Sequence, residues 1–503
     1  MANLNKTSSN SQPSQQEVQQ LIALLNNNQF TQAEKFARSL IEKHANIFIL
    51  HHVLSLALDG QQKFTESVTS YKNALKLQPN TPDLLFNLGI ASTHIQQLDE
   101  AIAAYKKAIQ IKPDFFEAYG NLGTVLQAQG QLNAAIESYQ KGLKINPQDA
   151  RGHFNLGTAL RDNGALTEAV NSYKKAISLF PNYTDAHNNL GETLRDLGDM
   201  DAAIHCYQAA LSLNPNHAQA NYNMAEFCYL AERYMDAIPY FEASQLDDWQ
   251  ERRLYCFYKA KAFETFKQER DALIQHRKHT SPFLATLSTH YSINFNEPDP
   301  YNFCKNGLDF VYRKSIPELV NTDLLKTLLT DIETADIAQR RQGRLTNGQQ
   351  SAGNLFKRNE ASFQMLASLI KKEFLAYKNH FVNADCELIQ SFPDELQFTS
   401  SWYVKMQQGG HLSAHIHEIG WISGAVYLAM PSQNGLEGAF EYGTHGDNYP
   451  IRHTQKSTQF PVAQIIPNVG DIVLFPSSLF HRTIPFNSGD ERICIAFDLK
   501  PAS

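Results

Sequence analysis

Two histidines, His415 and His417, stand two residues apart in the segment HLSAHIH. On a strand both side chains would point to one face, where two neutral imidazoles can grip one metal ion. A third, His481, comes much later, just after the apolar run DIVLFP and a turn, and beyond it Arg492 opens the last strand-like run, RICIAFDLK. The order is H-x-H, then a distal histidine, then a basic residue. Glu418 follows the histidine pair directly, and strand alternation turns it to the opposite face. Single residues weigh less than the set. His411, His445 and His453 read as ordinary core or surface histidines, Trp421 and Phe475 as core, and Asp471, which follows a glycine at a strand start, as a turn residue.

The elements that must position these residues read as short strands from Leu396 onward: LQFTSSWYVKM, HLSAHIH, WISGAVYLAM, GAFEYG, DIVLFP, HRTIPF and RICIAFDLK, broken by Gly, Pro and Asn. Such a series suits a jelly roll of two facing sheets, with its core over about 396–500. Upstream, two supporting helices are expected at about Pro317–Asp331 and Glu360–His380, separated by the polar stretch GRLTNGQQSAGN. Before them SPFLATLSTHYSINFNEPDPYNFCKNG, rich in Pro and Asn, reads as a traversing loop.

The first half of the chain is periodic. Pro79, Pro113, Pro147, Pro181 and Pro215 recur every 34 residues, the length of one helix-turn-helix unit. Tyr71, Tyr105, Tyr139, Tyr173 and Tyr207 keep the same register. Gly130, Gly164 and Gly198 stand where a first helix must end and the chain turn, which favours a residue free to take positive φ; Gln96 and Glu232 replace them in outer units. Gly89, Gly123, Gly157, Gly191 and Ala225 let paired helices approach, and the prolines stop each second helix. Asn87, Asn121, Asn155, Asn189 and Asn223 recur in mid-helix, in N-L-G or N-M-A. There asparagine is unfavourable by roughly 0.5 kcal/mol against alanine, so five in register need a reason. Each amide offers a donor and an acceptor that could hold the backbone of an extended peptide along a concave wall. The competing reading is common ancestry of the repeats, or a bond to the neighbouring helix.

The resulting plan is a short flexible tail over 1–13, a helical-repeat superhelix over 14–249 with about seven units, five of them clear, capping helices and a linker over 250–300, and the strand-rich domain with supporting helices over 301–503. At 503 residues, 43% hydrophobic and 19% charged, the chain can bury more than one core. With a net charge of -7 and no dense Lys/Arg block, nucleic acid is not expected as a partner. No secretory signal and no run of 18 apolar residues is seen, which points to a cytoplasmic protein with no membrane partner. The six cysteines are widely spaced and read as reduced thiols.

The 34-residue pattern closely resembles the tetratricopeptide family, and the N-L-G spacing resembles the asparagine ladders of some tetratricopeptide superhelices, including that of the glycosyltransferase that modifies Ser/Thr with N-acetylglucosamine. The stretch SWYVKMQQGGHLSAHIHEIGWISGAVYLAMP, the GAFEYG strand, the tail from Ile466 to Leu499 and, more faintly, GQQSAGNLF resemble the 2-oxoglutarate and Fe(II)-dependent oxygenases, most closely a prolyl-hydroxylase-like branch fused to tetratricopeptide repeats. The resemblance implies a double-stranded β-helix fold, Fe(II), 2-oxoglutarate as cosubstrate and O2. It makes His415 and His481 metal ligands, sets Arg492 on the far carboxylate of 2-oxoglutarate, and offers Tyr403 and Tyr427 as hydroxyl partners of the cosubstrate. One departure matters: the family's second ligand is an Asp or Glu, and that place holds His417. Three outcomes stay open, namely a three-histidine site, a carboxylate such as Glu441 or Asp471 swinging in, or weakened metal binding with catalysis lost. The implied activity is hydroxylation of a polypeptide held by the repeats. The alternatives are a scaffold with an inactive jelly roll and a three-histidine dioxygenase that uses no 2-oxoglutarate.

Overall fold

The computed structural model describes residues 12–501 apart from 277, 335–336, 338, 341–342, 352–353, 359, 394, 419, 433 and 453–459. His453, most of the N-terminal tail and part of GQQSAGNLF therefore lie outside the described residues. The chain divides into two compact units, Met1–Phe227 and Cys228–Ser503.

In the first unit helical pairs follow one another: Gln15–Asn26 with Phe30–Lys43, Phe48–Asp59 with Phe64–Leu77, Pro82–His94 with Leu98–Ile111, Phe116–Ala128 with Leu132–Ile145, Ala150–Asp162 with Leu166–Leu179, and Thr184–Asp196 with Met200–Leu213. The repeating residues are the two sides of recurring contacts. A Cβ added at Gly89, Gly123, Gly157 or Gly191 would stand 2.5, 2.7, 2.8 or 2.6 Å from the ring of Tyr105, Tyr139, Tyr173 or Tyr207. Between helices, Gly130, Gly164 and Gly198 take φ of +74°, +80° and +89°. Gln96 makes the same turn at φ +60°, a conformation that costs an L-residue roughly 1–2 kcal/mol. Each second helix from Phe64–Leu77 onward ends just before its proline, as expected.

The second unit begins with more helices. Trp249–Lys259 and Phe263–Gln275 form a further hairpin, turning at Lys261 with φ +60°, so hairpin geometry outlasts the sequence period. The expected loop after it is instead the helix Pro282–Phe295. Pro282 fills its first turn, Ser281 Oγ accepts the Leu284 N–H at 3.2 Å, and nearly every side chain is buried, so there is no amphipathic period to read. Asp323–Thr334 starts later than expected because Pro317–Leu319 is an isolated 3-10 turn, whereas Ala361–His380 falls where the pattern placed it. Among the described residues no helix is long and apolar enough to cross a membrane.

Ten strands follow or interleave with these helices: β1 Tyr312–Ser315, β2 Gln339–Arg340, β3 Leu345–Ser351, β4 Leu396–Leu412, β5 Ile422–Ala429, β6 Phe440–Gly443, β7 Val462–Ile465, β8 Asp471–Pro476, β9 Phe480–Thr483 and β10 Arg492–Pro501. A seven-stranded sheet runs β1-β8-β5-β10-β4-β3-β2 and a three-stranded sheet β7-β6-β9. Val404, Met406, Tyr427, Val473, Phe475 and Cys494 of the first share one core with Phe440 and Tyr442 of the second, the packing of a jelly roll. The stretch expected as a polar separator contains β3, whose side chains are mostly polar and which pairs with β4. The expected strand HLSAHIH is also revised: β4 ends at Leu412, and beyond it, among the described residues, the bridge between His415 and His481 continues the pairing.

Candidate metal centre

His415 and His481 face each other across that bridge, where each donates its N–H to the other's carbonyl, at 3.1 and 2.9 Å. The His417 N–H donates to Ser477 O at 3.2 Å, which holds its segment beside the end of β8. One ligand atom from each of the three imidazoles lies within 4.8 Å of the others, and among the described residues this is the group of His, Cys, Asp or Glu so assembled.

The hydrogen bonds decide which nitrogens are available. His415 Nδ1 lies 2.8 Å from Ser413 O and His481 Nδ1 3.2 Å from Leu479 O, so both carry the proton on Nδ1. His417 Nδ1 is engaged by the Asp498 carboxylate. All three Nε2 lone pairs remain, and those of His415 and His417 stand 3.4 Å apart. Two cis ligands at about 2.1 Å from one ion stand roughly 3 Å apart, so the His415 and His417 pair needs little movement to close on a metal, with His481 within 4.8 Å of both. Burial, helped by His417, pushes the His415 pKa down to about 3 and holds that of His481 well below its usual value, so both stay neutral.

Strand alternation lays out the rest of the site. On β10, Arg492, Cys494, Ala496 and Asp498 share one face, flanked in register by Val404, Trp402 and Ser400 of β4 and by Tyr427, Ala425 and Ser423 of β5. The Arg492 to Ala496 part of this face and the histidine triad line a cavity of about 50 Å³. Arg492 is 2% exposed; its Nε donates to Gly438 O at 3.2 Å, and its guanidinium lies 5.1 Å from the Tyr427 ring. Among the described residues it has no carboxylate partner, so an anionic ligand is the group its burial calls for. Tyr427 is fully enclosed beside it, and burial pushes its phenol pKa up.

Tyr403 requires a correction. It pairs with Ile495 on the opposite face of the sheet, and the cavity is lined by its neighbours Trp402 and Val404, so the expected hydroxyl is one residue out of phase. Glu441 and Asp471 are engaged elsewhere. Glu441 pairs with Arg482 at 2.5 Å, and Asp471 pairs with Arg313 at 2.7 Å while accepting the Asn468 N–H at 2.8 Å. Glu418 pairs with Arg252. His445 is hydrogen-bonded at 2.8 Å to His290, and Trp421 is buried against Phe303.

Asp498 is the residue that reading the sequence missed. Its carboxylate accepts from Ser400 Oγ at 2.8 Å and Ser423 Oγ at 2.7 Å, its direct neighbours on β4 and β5, and it meets His417. Burial raises its pKa, but His417 and the two hydroxyls outweigh burial and hold it below the usual carboxylate range. The available signal was a charged residue in phase with Arg492 on an otherwise apolar strand.

In the repeats, Asn87, Asn121, Asn155 and Asn189 are half-buried. Asn87, Asn121 and Asn189 stand against the phenols of Tyr71, Tyr105 and Tyr173 of the preceding hairpin. Asn223 is 3% exposed, its amide donating to Asn188 at 3.0 Å and Glu192 at 3.1 Å.

Residues 400–498 match the family model described as "Putative 2OG-Fe(II) oxygenase". Four segments within 60–194 match the model of the TPR repeat, and 184–217 match that of the tetratricopeptide repeat. Among solved structures the chain is similar to MamA, at 26% identity over 32% of this chain and 95% of that one, TM-score 0.32. It is also similar to YrrB, described as a TPR protein with an unusual peptide-binding site, at 22% identity over 37% and 95%, TM-score 0.33. A third is the C-terminal part of a TPR repeat-containing protein from Cytophaga hutchinsonii, at 17% identity over 45% and 93%, TM-score 0.40. No curated protein matches. The chain is thus a tetratricopeptide-repeat protein that carries, over residues 400–498, a domain of the 2OG-Fe(II) oxygenase family.

Proposed function

We propose that this chain is a 2-oxoglutarate- and Fe(II)-dependent oxygenase that hydroxylates a polypeptide. The observation that carries the reading is Arg492, a buried guanidinium without a carboxylate partner among the described residues, in the same small cavity as three convergent imidazole lone pairs. A ligand with a chelating end and a free carboxylate suits both. His415, His417 and His481 would hold the metal, and Arg492, with the Tyr427 hydroxyl beside it, would hold the far carboxylate through two parallel charge-assisted bonds. Bound there, Fe(II), O2 and 2-oxoglutarate supply the oxidising power that inserts one oxygen atom into an unactivated C–H bond, with succinate and CO2 as the other products.

This chain's residues bind, orient and exclude water. Phe440 and Phe475 pack within 5.7 and 4.6 Å of the His481 ring and keep that side of the centre apolar. His481 also lines a second cavity of about 190 Å³, with His445, Phe460 and Arg482, where a substrate side chain would lie beside the centre. A polypeptide substrate follows from the repeats, which in general bind proteins or peptides. Binding energy from contacts remote from the reacting carbon can be used to fix its position. On this reading Asn87, Asn121, Asn155 and Asn189 supply amides to a peptide backbone, with Asn223 bracing the last rung, in a cytoplasmic setting where Fe(II) and 2-oxoglutarate are at hand.

The test is anaerobic titration with Fe(II) and then 2-oxoglutarate. A weak visible charge-transfer band is expected, followed by oxygen-dependent succinate release and a 16-dalton gain on a peptide from a lysate pool. Absence of the band in folded protein overturns the oxygenase reading and favours a scaffold. A band without any modified peptide overturns the polypeptide substrate.

A further inference from the structure

In this chain the position that carries a ligating carboxylate elsewhere in the family is His417, so three neutral imidazoles would leave the ion's charge less compensated. Directly behind His417 lies Asp498, on the Nδ1 side, away from the Nε2 that faces His415. The carboxylate side chain is 13% exposed and, beyond His417, is held by two hydroxyls, with no Lys or Arg among the described residues. A largely buried anion that leans on one imidazole and two hydroxyls is costly unless something beyond that imidazole is positive when the protein works. Its surroundings are built to keep it in place: Ser400 and Ser423 are its cross-strand neighbours on both sides, and Ser423 is itself fixed by Ser477 at 2.7 Å.

We propose that Asp498 is the positioning residue of the metal centre, supplying through the His417 imidazole the negative charge that a ligating carboxylate would supply directly. It orders His417 with the proton on Nδ1 and Nε2 turned to the ion, as carboxylates behind ligating histidines do. The ligand shell then has three imidazoles facing the ion and its balancing charge one bond layer out. Trp402, stacked on His417 with centroids 5.7 Å apart and planes 26° apart, fixes the remaining rotation of the ring. The inference rests on the three-histidine reading of the site and goes beyond it by assigning the charge.

The experiment uses the full chain and Co(II) alone, with no cosubstrate, reading affinity by competition with a chromophoric chelator and coordination by the visible spectrum. Wild type is expected to bind; failure to bind overturns the metal reading itself, and the role of Asp498 with it. Asp498→Asn keeps shape but not charge, and its Co(II) affinity is expected to fall roughly 10–100-fold with an unchanged near-ultraviolet circular dichroism spectrum. The double variant His417→Asp/Asp498→Asn moves the carboxylate onto the metal and is expected to recover most of the loss. Wild-type affinity in folded Asp498→Asn, or no recovery in the double variant, overturns the proposal while leaving the metal site standing. Should Asp498→Asn not fold, the Co(II)-loaded wild type decides by proton NMR. One paramagnetically shifted, exchangeable N–H is expected for each of the three imidazoles, and absence of the one from His417 overturns the proposal.

Discussion

In the repeat unit Tyr105 meets Gly89, and the same contact returns as Tyr139 with Gly123, Tyr173 with Gly157 and Tyr207 with Gly191. In the second unit His417 meets Asp498, 81 residues away, and Arg492 meets Gly438, 54 residues away, each contact made once. Contacts of the first kind close within one hairpin and tolerate damage nearby, because each hairpin rests mainly on its neighbours. Contacts of the second kind depend on the register of several antiparallel strands, so one misplaced residue reaches the whole site. The difference can be broken or sharpened by substitutions in each unit, read by both metal binding and stability.

The largest effect is expected at His481, which on the proposed reading supplies a metal ligand, while its main-chain bridge to His415 survives the substitution. His481→Ala should lower Co(II) or Fe(II) affinity by more than the roughly 10–100-fold that follows loss of an outer partner, measured by chelator competition. Asn121→Ala in the repeats should leave it unchanged. Next comes Arg492→Lys, which keeps the charge but removes the planar fork. A lost charged hydrogen bond of about 1.5–3 kcal/mol corresponds to roughly 10–100-fold weaker 2-oxoglutarate binding. Metal affinity without cosubstrate should stay within threefold, which separates the two ends of the cavity.

Gly157→Ala is the matching change in the repeats. Its new Cβ would lie 2.8 Å from the Tyr173 ring, and overpacking of this kind costs about 1–3 kcal/mol. Hydrogen exchange should show faster opening around Ala150–Leu179, with no change in the second unit's amides. Equal loss of protection in both units would mean that they fold as one cooperative body.

Acid should separate the units as well. His290 is wholly buried between Tyr258 and His445, and burial together with His445 holds its pKa well below the usual value. Below about pH 6.5 the unfolded chain takes up a proton that folded His290 refuses, so stability falls as pH falls, by about 1.4 kcal/mol per pH unit for one such group, and is flat above that. In the metal-free protein His415 and His481 act in the same direction. Among the described residues of the repeat unit, His52 is the histidine pushed down, and it is only half-buried. Urea unfolding followed by hydrogen exchange at pH 6.5 and 5.5 should therefore weaken the second unit more, and His290→Gln should reduce that slope by about one proton.

The same contrast governs what could be read from the sequence. The repeat unit was legible to the residue, because every constraint is stated several times: positive φ at Gly130, Gly164 and Gly198, and close approach at each Gly and Tyr pair. In the second unit β5, β8 and β10 stood out as apolar runs, but β3 is polar, and the Pro282–Phe295 helix is buried on all sides and shows no period. The triad was visible because the His-x-His pair is local. Tyr403 was misplaced by one residue, since nothing in its neighbourhood states which face of β4 turns inward. Asp498 was passed over because its partner His417 is brought to it only by the fold.

The smallest predicted effect bears on the asparagines, where the repeat unit departs from repetition. Asn155 makes no side-chain hydrogen bond among the described residues, whereas Asn223 holds both Asn188 and Glu192. Asparagine is unfavourable in a helix interior, so Asn155→Ala should raise stability by about 0.5 kcal/mol. Asn223→Ala should lower it by about 1–3 kcal/mol, because two buried polar groups lose a partner. If the amides also hold a peptide, Asn155→Ala should weaken peptide turnover while it strengthens the fold, a split that packing alone cannot produce. A stabilised Asn155→Ala protein with wild-type turnover would instead make that residue an inheritance of duplication and confine any peptide grip to the other rungs.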